Sequence, residues 1–240
     1  MLDFHSHILP GIDDGSRDQS ESLQLLDSLR KQNVHRVIAT PHFYAHRHTP
    51  DQFLGARAAS YNSLEKYDFS QFPQMHLGAE VFYFDGMSRA EEMMDLRIQG
   101  TELLLVEMPF STWNRKCINE ILSLNEREDC TIVLAHIERY LSFQKQNVLN
   151  ELLENRVKIQ ANAEYFLRWK TRHQAIEMLR HGMIHFLGSD CHNMNSRPPH
   201  IGEAMAYIRK KLGSEAIEWF DYHERRYFAE DEVLAHETLV

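Results

Sequence analysis

A chain of 240 residues with a formal net charge of −9 can bury one substantial core, and it is too acidic for a general binder of nucleic acid or anionic membranes. Hydrophobic residues make up 43% and charged residues 25%, as in ordinary globular domains, and no apolar run approaches a membrane span. The three cysteines, Cys117, Cys130 and Cys191, are odd in number and lack CxxC spacing, which disfavours a disulfide framework or a Cys-rich zinc site. The opening Met1-Leu2-Asp3-Phe4-His5 has neither a basic nor an apolar signal region, so a reduced, cytoplasmic setting is expected.

Two periodicities alternate along the chain. Residues 2–5 read as a strand. Residues 16–33 read as a helix, with Leu23, Leu26 and Leu29 at helical spacing and Ser16 or Ser20 as its cap. A strand over 34–40 ends at Pro41-His42, a helix follows over 51–67, and a short strand over 75–81 carries Glu80. The apolar run LLLVE at 103–107 suits a strand buried on both faces. A helix over 113–128, a strand over 131–136, a helix over 145–155, a strand over 157–161, a helix over 171–181 and a strand over 184–189 come next. Helical segments over 201–212 and 215–220 close the pattern. Seven strands mostly separated by helices, with no linker or low-complexity segment, imply one α/β domain over 1–240. It is either a closed barrel or a doubly wound sheet.

Nine nitrogen and oxygen ligands gather near the ends of these strands: His5, His7, Asp14, His42, Glu80, Glu107, His136, Asp190 and His192. Ligands after six of the seven strands favour a barrel, whose active site is built from loops at the C-terminal strand ends. An open sheet gathers its site at one switch point. His5 and His7 lie two residues apart, so both side chains share one face of a strand, and Asp190 and His192 repeat that spacing. Imidazole and carboxylate without thiolate suit Mn, Fe or Zn, and shared carboxylates favour two or three ions. Such ions can hold a phosphate ester and generate its nucleophile. Plainer readings stand beside these. Asp14 could shape the Asp-Gly turn, and Glu107 could be a buried partner of an Arg. Phe43 and Tyr44 could wall a phosphotyrosine ring or pack against the next helix. His46 and His48 read as exposed loop residues.

The segment Asp-Phe-His-Ser-His-Ile-Leu-Pro-Gly-Ile-Asp-Asp-Gly-Ser at 3–16 resembles the opening of the polymerase-and-histidinol-phosphatase (PHP) superfamily. It is more similar still to the tyrosine-protein phosphatases of bacterial capsular and exopolysaccharide loci, the CpsB/CapC-like group. Ala39-Thr40-Pro41-His42, Gly78-Ala79-Glu80-Val81, Ala135 to Tyr140 and Gly188 to His192 continue the match in order. The resemblance implies a distorted (β/α)7 TIM-like barrel with a trinuclear, usually manganese, centre. It implies one ion among His5, His7, Glu80 and Asp190, a second shared by Glu80 with Glu107 and His136, and a third among Asp14, His42 and His192. It also implies Arg139 and Arg197 as phosphate holders, and a bacterial tyrosine kinase as the phosphotyrosine substrate. His42 could assist the leaving phenolate as an acid. Arg139 could instead be an ion-pair partner of Glu138 or another acid. Two residues depart from the family pattern, Ile137 where Pro is usual and Cys191 where a small residue is usual.

Cys191 to Arg197 also fits C-x5-R, the phosphate loop of thiol-dependent tyrosine phosphatases, but the intervening residues contain no Gly and Pro198-Pro199 follows. Other classes to weigh are a histidinol-phosphate or other small phosphomonoester phosphatase, a nucleic-acid phosphoesterase disfavoured by charge, and a non-catalytic metal-binding regulator. The acidic, aromatic stretch 215–237 reads equally as a terminal helix packed on the barrel or as a contact surface. Oligomeric state is left open.

Overall fold

The computed structural model describes residues 1–228. Helices alternate with strands that all pair in parallel. In chain order the elements are β1 (Leu2–Ser6), α1 (Gln19–Lys31), β2 (Arg36–Ala39), β3 (His42–Phe43), α2 (Pro50–Asn62), β4 (Gln74–Leu77), β5 (Glu80–Phe82), β6 (Leu103–Glu107), α3 (Arg115–Asn125), β7 (Thr131–Leu134), α4 (Gln146–Glu154), β8 (Lys158–Asn162), α5 (Ala163–Leu167), α6 (Arg172–Arg180), β9 (Phe186–Gly188), α7 (Ile201–Leu212) and α8 (Glu215–Phe228). Short 3-10 turns occupy Met87–Arg89, Glu91–Leu96 and Ile137–Arg139.

Two of the predicted strands are broken in the structure. The strand expected over 34–40 stops at Ala39 and resumes at His42, and the one expected over 75–81 divides into β4 and β5. Pro41 has no N–H for the ladder, and Gly78 has no side chain to hold a pleat. Pairing nevertheless runs in one register across both breaks, from Ala39↔Leu77 to His42↔Glu80. The first halves form a sheet ordered β1-β2-β4, and the second halves join β3-β5-β6-β7-β8-β9. The far edge of the larger sheet curls back onto β1 through a Ser6↔Cys191 bridge and the bonds His7 N–H to Cys191 O (2.9 Å) and Asp190 N–H to His5 O (2.7 Å).

The caps explain where helices start. Asp18, rather than Ser16 or Ser20, caps α1, accepting from the Glu21 N–H at 3.0 Å. The Ser16 hydroxyl is occupied by Ser22 and the Asp18 carbonyl. Thr49 and Gln52 form a reciprocal capping box at α2, with Pro50 in the first turn. The expected helix over 51–67 ends at Asn62, and α5 and the 3-10 turns are too short to leave a periodic signature.

The all-apolar run of β6 is buried on both sides. Leu104 and Val106 join the cluster packed beneath the helices, while Leu103 and Leu105 join a second cluster with Phe4, Ile38, Val133 and Phe186. Tyr227 and Phe228 of α8 complete that second cluster. The closing helix expected over 215–220 therefore runs on to Phe228 and packs on the fold, while 229–237 lie outside the described residues. Glu224 anchors α8 through Arg36 (3.2 Å) and His35 (2.6 Å). Among the described residues, no helix is long and apolar enough to cross a membrane.

Candidate metal centre

Local backbone devices aim the donors. On β1, Asp3 pairs with Val37 and Ser6 with Ala39, so three steps on one strand oppose two on the other. This bulge lets Phe4 enter the inner apolar cluster while His5 and His7 point together at the C-terminal strand ends, Nε2 to Nε2 at 3.1 Å. Gly15 is packed so closely on His7 that a Cβ there would stand 2.2 Å from the His7 carbonyl oxygen. At Gly188 a Cβ would lie 2.6 Å from the Cβ of His5. His136 and Asp190 hold left-handed backbone conformations, φ +31° and +52°, uncommon for residues with side chains.

Glu80, on β5, sits at the middle. Its Oε2 lies 3.3 Å from His5 Nε2, 3.2 Å from His7 Nε2 and 3.0 Å from His42 Nδ1, and its Oε1 lies 2.7 Å from His136 Nε2. Glu107 ends β6 with Oε1 3.4 Å from His136 Nε2 and Oε2 4.0 Å from His42 Nδ1. Asp190 Oδ1 approaches His5 (3.7 Å), His7 (3.5 Å) and His192 (3.6 Å). Asp14 stands at the exposed rim, 3.5 Å from His42 Nε2 and 3.6 Å from His192 Nε2. All nine sequence-selected donors are thus brought together. Among the described residues three overlapping groups have ligand spacing: His7, Asp14, His42 and His192; His5, His7 and Asp190; and His42, Glu80 and Glu107.

A further layer, not identified from the sequence, orients these donors. Asp13 Oδ2 lies 2.7 Å from His7 Nδ1 and accepts the His42 N–H at 3.0 Å. Gln160 Oε1 lies 3.2 Å from His5 Nδ1 and accepts the His136 N–H at 2.6 Å, which fixes the turn at that residue. Gln160 in turn donates to Asn162, and Asn162 donates to Asp190 Oδ2 at 2.9 Å. A carboxylate or amide on the far nitrogen of a ligating His is the usual way a ring is held for a metal. The available signals are the doubled Asp13-Asp14 and the polar pair at 160 and 162, two residues apart on one face of a buried strand.

The cluster carries strong mutual charge effects. Burial alone would raise the pKa of Glu80, yet His5, His136 and His42 hold its carboxyl well below the usual range. Burial opposes protonation of His7, but Asp13 and Glu80 outweigh it and raise its pKa to about 10. His192, buried beside His7, is pushed down to about 3. Among the described residues His136 Nδ1 and His192 Nε2 have no hydrogen-bond partner, and His42 Nδ1 and Glu80 Oε2, though 3.0 Å apart, are not aligned for a hydrogen bond. Buried polar atoms are rarely left so, and an oxygen- and nitrogen-seeking divalent cation fits this donor set.

Arg139 and Arg197 both rest on Asp190 Oδ2, Arg197 at 2.7 Å, so the pairing considered for Arg139 with Glu138 is replaced by one with Asp190. Cys191 is fully buried and its thiol is pushed up by that burial. The N–H groups of Asn195, Ser196 and Arg197 are taken by Asn193 Oδ1, and that of His192 by the Arg197 carbonyl. No amide cradle for a phosphate remains there, which removes the thiol loop. Of the two readings for Phe43, packing against the next helix is the one the structure shows: it is 1% exposed and lies edge-on against Phe53 of α2, because β3 turns it into the core. Tyr44 points the other way, 5.3 Å from the His42 ring, into a cavity of roughly 370 Å³ that Asp14, Arg47 and His48 also line. His46 and His48 are exposed, as expected.

A curled parallel sheet wrapped by helices, with imidazoles and carboxylates converging at one end, is the architecture of the PHP-fold phosphatases. A crystal structure of the metal-dependent tyrosine phosphatases YwqE from Bacillus subtilis and CpsB from Streptococcus pneumoniae superposes with a TM-score of 0.81, at 24% identity, covering 94% of this chain and 93% of the other. The histidinol phosphate phosphatase of Lactococcus lactis shares the fold more distantly, with a TM-score of 0.57 at 12% identity, covering 90% and 93%. The family described as "Capsular polysaccharide synthesis, CpsB/CapC" matches residues 1–225, and the chain belongs to it. Among its relatives, the tyrosine-protein phosphatase CpsB of Streptococcus agalactiae serotype III (strain NEM316) is 29% identical over 90% of this chain and 92% of its own length. The tyrosine-protein phosphatase YwqE of B. subtilis (strain 168) is 27% identical over 90% and 86%.

Proposed function

We propose that this protein is a metal-dependent phosphatase that removes phosphate from tyrosine in proteins, working from a distorted (β/α)7 barrel in which each broken strand counts once. The observation that carries the reading is the gathering of nine nitrogen- and oxygen-bearing side chains at one end of the sheet, Glu80 among them, with four of their buried polar atoms left without an aligned hydrogen bond. Two or three divalent ions, manganese first, would be held by His5, His7, Asp14, His42, Glu80, Glu107, His136, Asp190 and His192. When bound, such ions supply positive charge against the phosphate oxygens and lower the pKa of the attacking water.

The chain's own groups do the rest. Arg139 and Arg197 would turn their planar forks to the phosphate and offset charge as it shifts in the transition state. The tyrosyl ring would lie along Tyr44 in the adjoining cavity, which Ile12 and Ala56 line with apolar surface. Asp13 and Gln160 keep the His7 and His5 rings aimed. Phenolate is a fairly good leaving group, so proton help from His42 would be modest. The substrate would be a bacterial tyrosine kinase in capsule or exopolysaccharide synthesis, met in the cytoplasm. Support for tyrosine comes from the relatives, named tyrosine-protein phosphatases, over some nine-tenths of the chain.

The test is hydrolysis of a phosphotyrosine peptide and of histidinol phosphate by chelator-stripped protein, before and after Mn²⁺ is added. Release from the peptide that appears only with metal is the expected result. A preference for histidinol phosphate would move the protein to the other branch of the fold. Metal binding without hydrolysis of either ester would make it a regulator.

A further inference from the structure

We infer that the outer end of the cavity beside the metal centre selects phosphotyrosine flanked by an acidic residue, with Arg47 as the reader. The inference rests on the phosphotyrosine reading above. Along the cavity the groups succeed one another in the order of a phosphotyrosine residue. His42, whose Nδ1 reaches Glu80 at 3.0 Å, stands at the end nearest the donors. The Tyr44 ring follows, nearly parallel to the His42 ring at 29°. The Arg47 guanidinium lies beyond it, 4.7 Å from the centroid of the Tyr44 ring, with His48 beside it. A phosphate at the donors and a ring against Tyr44 bring the substrate backbone and its neighbouring side chains to Arg47.

Arg47 is prepared for that role in two ways. Its backbone is fixed, because the N–H groups of Arg47 and His48 both bond the Tyr44 carbonyl, at 2.9 and 3.2 Å, just ahead of the α2 capping box. Its side chain lies over an aromatic face, which leaves the in-plane N–H groups of the fork directed outward. No carboxylate among the described residues pairs with it. The surroundings make the cation matter. The chain carries a net charge of −9, and Asp13 and Asp14 line the same cavity, so an acidic peptide is repelled unless a local cation offsets the field.

The experiment uses the Mn²⁺-loaded full chain and phosphotyrosine peptides that differ only in having Glu or Gln on the N-terminal side, the C-terminal side or both. Wild type is expected to favour the best Glu peptide over its Gln counterpart by about threefold to tenfold in kcat/KM, carried by KM and weakened by salt. In Arg47→Ala that ratio falls to about one. In Arg47→Glu the preference passes to Lys-flanked peptides. No Glu preference in wild type, or a preference that survives Arg47→Ala, overturns the inference. Failure of the phosphotyrosine reading shows separately, as wild type that hydrolyses none of the phosphotyrosine peptides, whatever their flanks, with metal present.

Discussion

At the floor of the curled sheet, Phe4, Ile38, Leu105 and Phe186 meet Tyr227 and Phe228 of α8. At the mouth, the same strands run out into His5, His42, Glu107 and Asp190. The floor obeys the ordinary rules of a core. Its apolar side chains interlock, and its buried carboxylate, Glu224, has Arg36 and His35 as partners. The mouth breaks those rules together and in one place, with residues at positive φ, imidazoles held against one another, and donor atoms without hydrogen bonds. Among the described residues His223 at the floor also has unpaired ring nitrogens, but only at the mouth do such atoms belong to imidazoles and carboxylates that converge on one another, as a bound cation requires.

The largest effect should come from the centre of the mouth. Glu80→Ala should cut kcat/KM on phosphotyrosine peptide by about a thousandfold or more, with a matching fall in bound Mn²⁺. An active variant with unchanged metal content would remove Glu80 from the centre. Asp13→Asn touches no phosphate in this scheme, so it should act through the ligands it holds, the His7 ring and the His42 backbone. Metal affinity, followed by titration calorimetry, should weaken by about tenfold to a hundredfold, while activity returns at saturating Mn²⁺.

The floor should respond to acid rather than to metal. Burial, with Lys158 nearby, depresses His223 to about 4, and neither of its ring nitrogens has a hydrogen-bond partner among the described residues. The unfolded chain therefore binds this proton near pH 6.5 and the folded chain only near 4. Stability is fully present above 6.5 and declines as pH falls between those values. Replacing His223 by Phe should spare up to about 2 kcal/mol of that decline at pH 5, less what solvent screening removes, read as the shift in urea midpoint between pH 7 and pH 5. Equal pH dependence in the two proteins would show that His223 does not titrate in this way. The smallest effect belongs to Cys191→Ser. Its thiol is buried and faces no phosphate cradle, so kcat/KM should change by less than about threefold. Abolished turnover with metal content intact would restore the thiol mechanism.

Much of this was legible in the sequence because ligands at strand ends obey two simple spacings. The succession of strands and helices could be read from periodicity, and the nine candidate ligands from residue type near strand ends together with the family resemblance. What escaped depends on backbone detail that periodicity does not carry. The break at Pro41 divides one strand into two sheets, and α8 continues past the point where its apolar pattern fades. Residue type leaves Phe43 and Tyr44 equally free to wall a ring or pack on the next helix, and only the folded chain shows that Phe43 packs on α2 while Tyr44 reaches the cavity. Asp13 and Gln160 escaped because they act on other side chains. Their partners are fixed only once β1, β7 and β8 are folded together.

The most direct test is to titrate Mn²⁺ into stripped protein while measuring bound metal and phosphotyrosine hydrolysis on the same samples. Activity that is absent without metal and rises with its binding to two or three ions per chain is the predicted result. Full activity in the stripped protein, or metal uptake with no turnover at any occupancy, would contradict it.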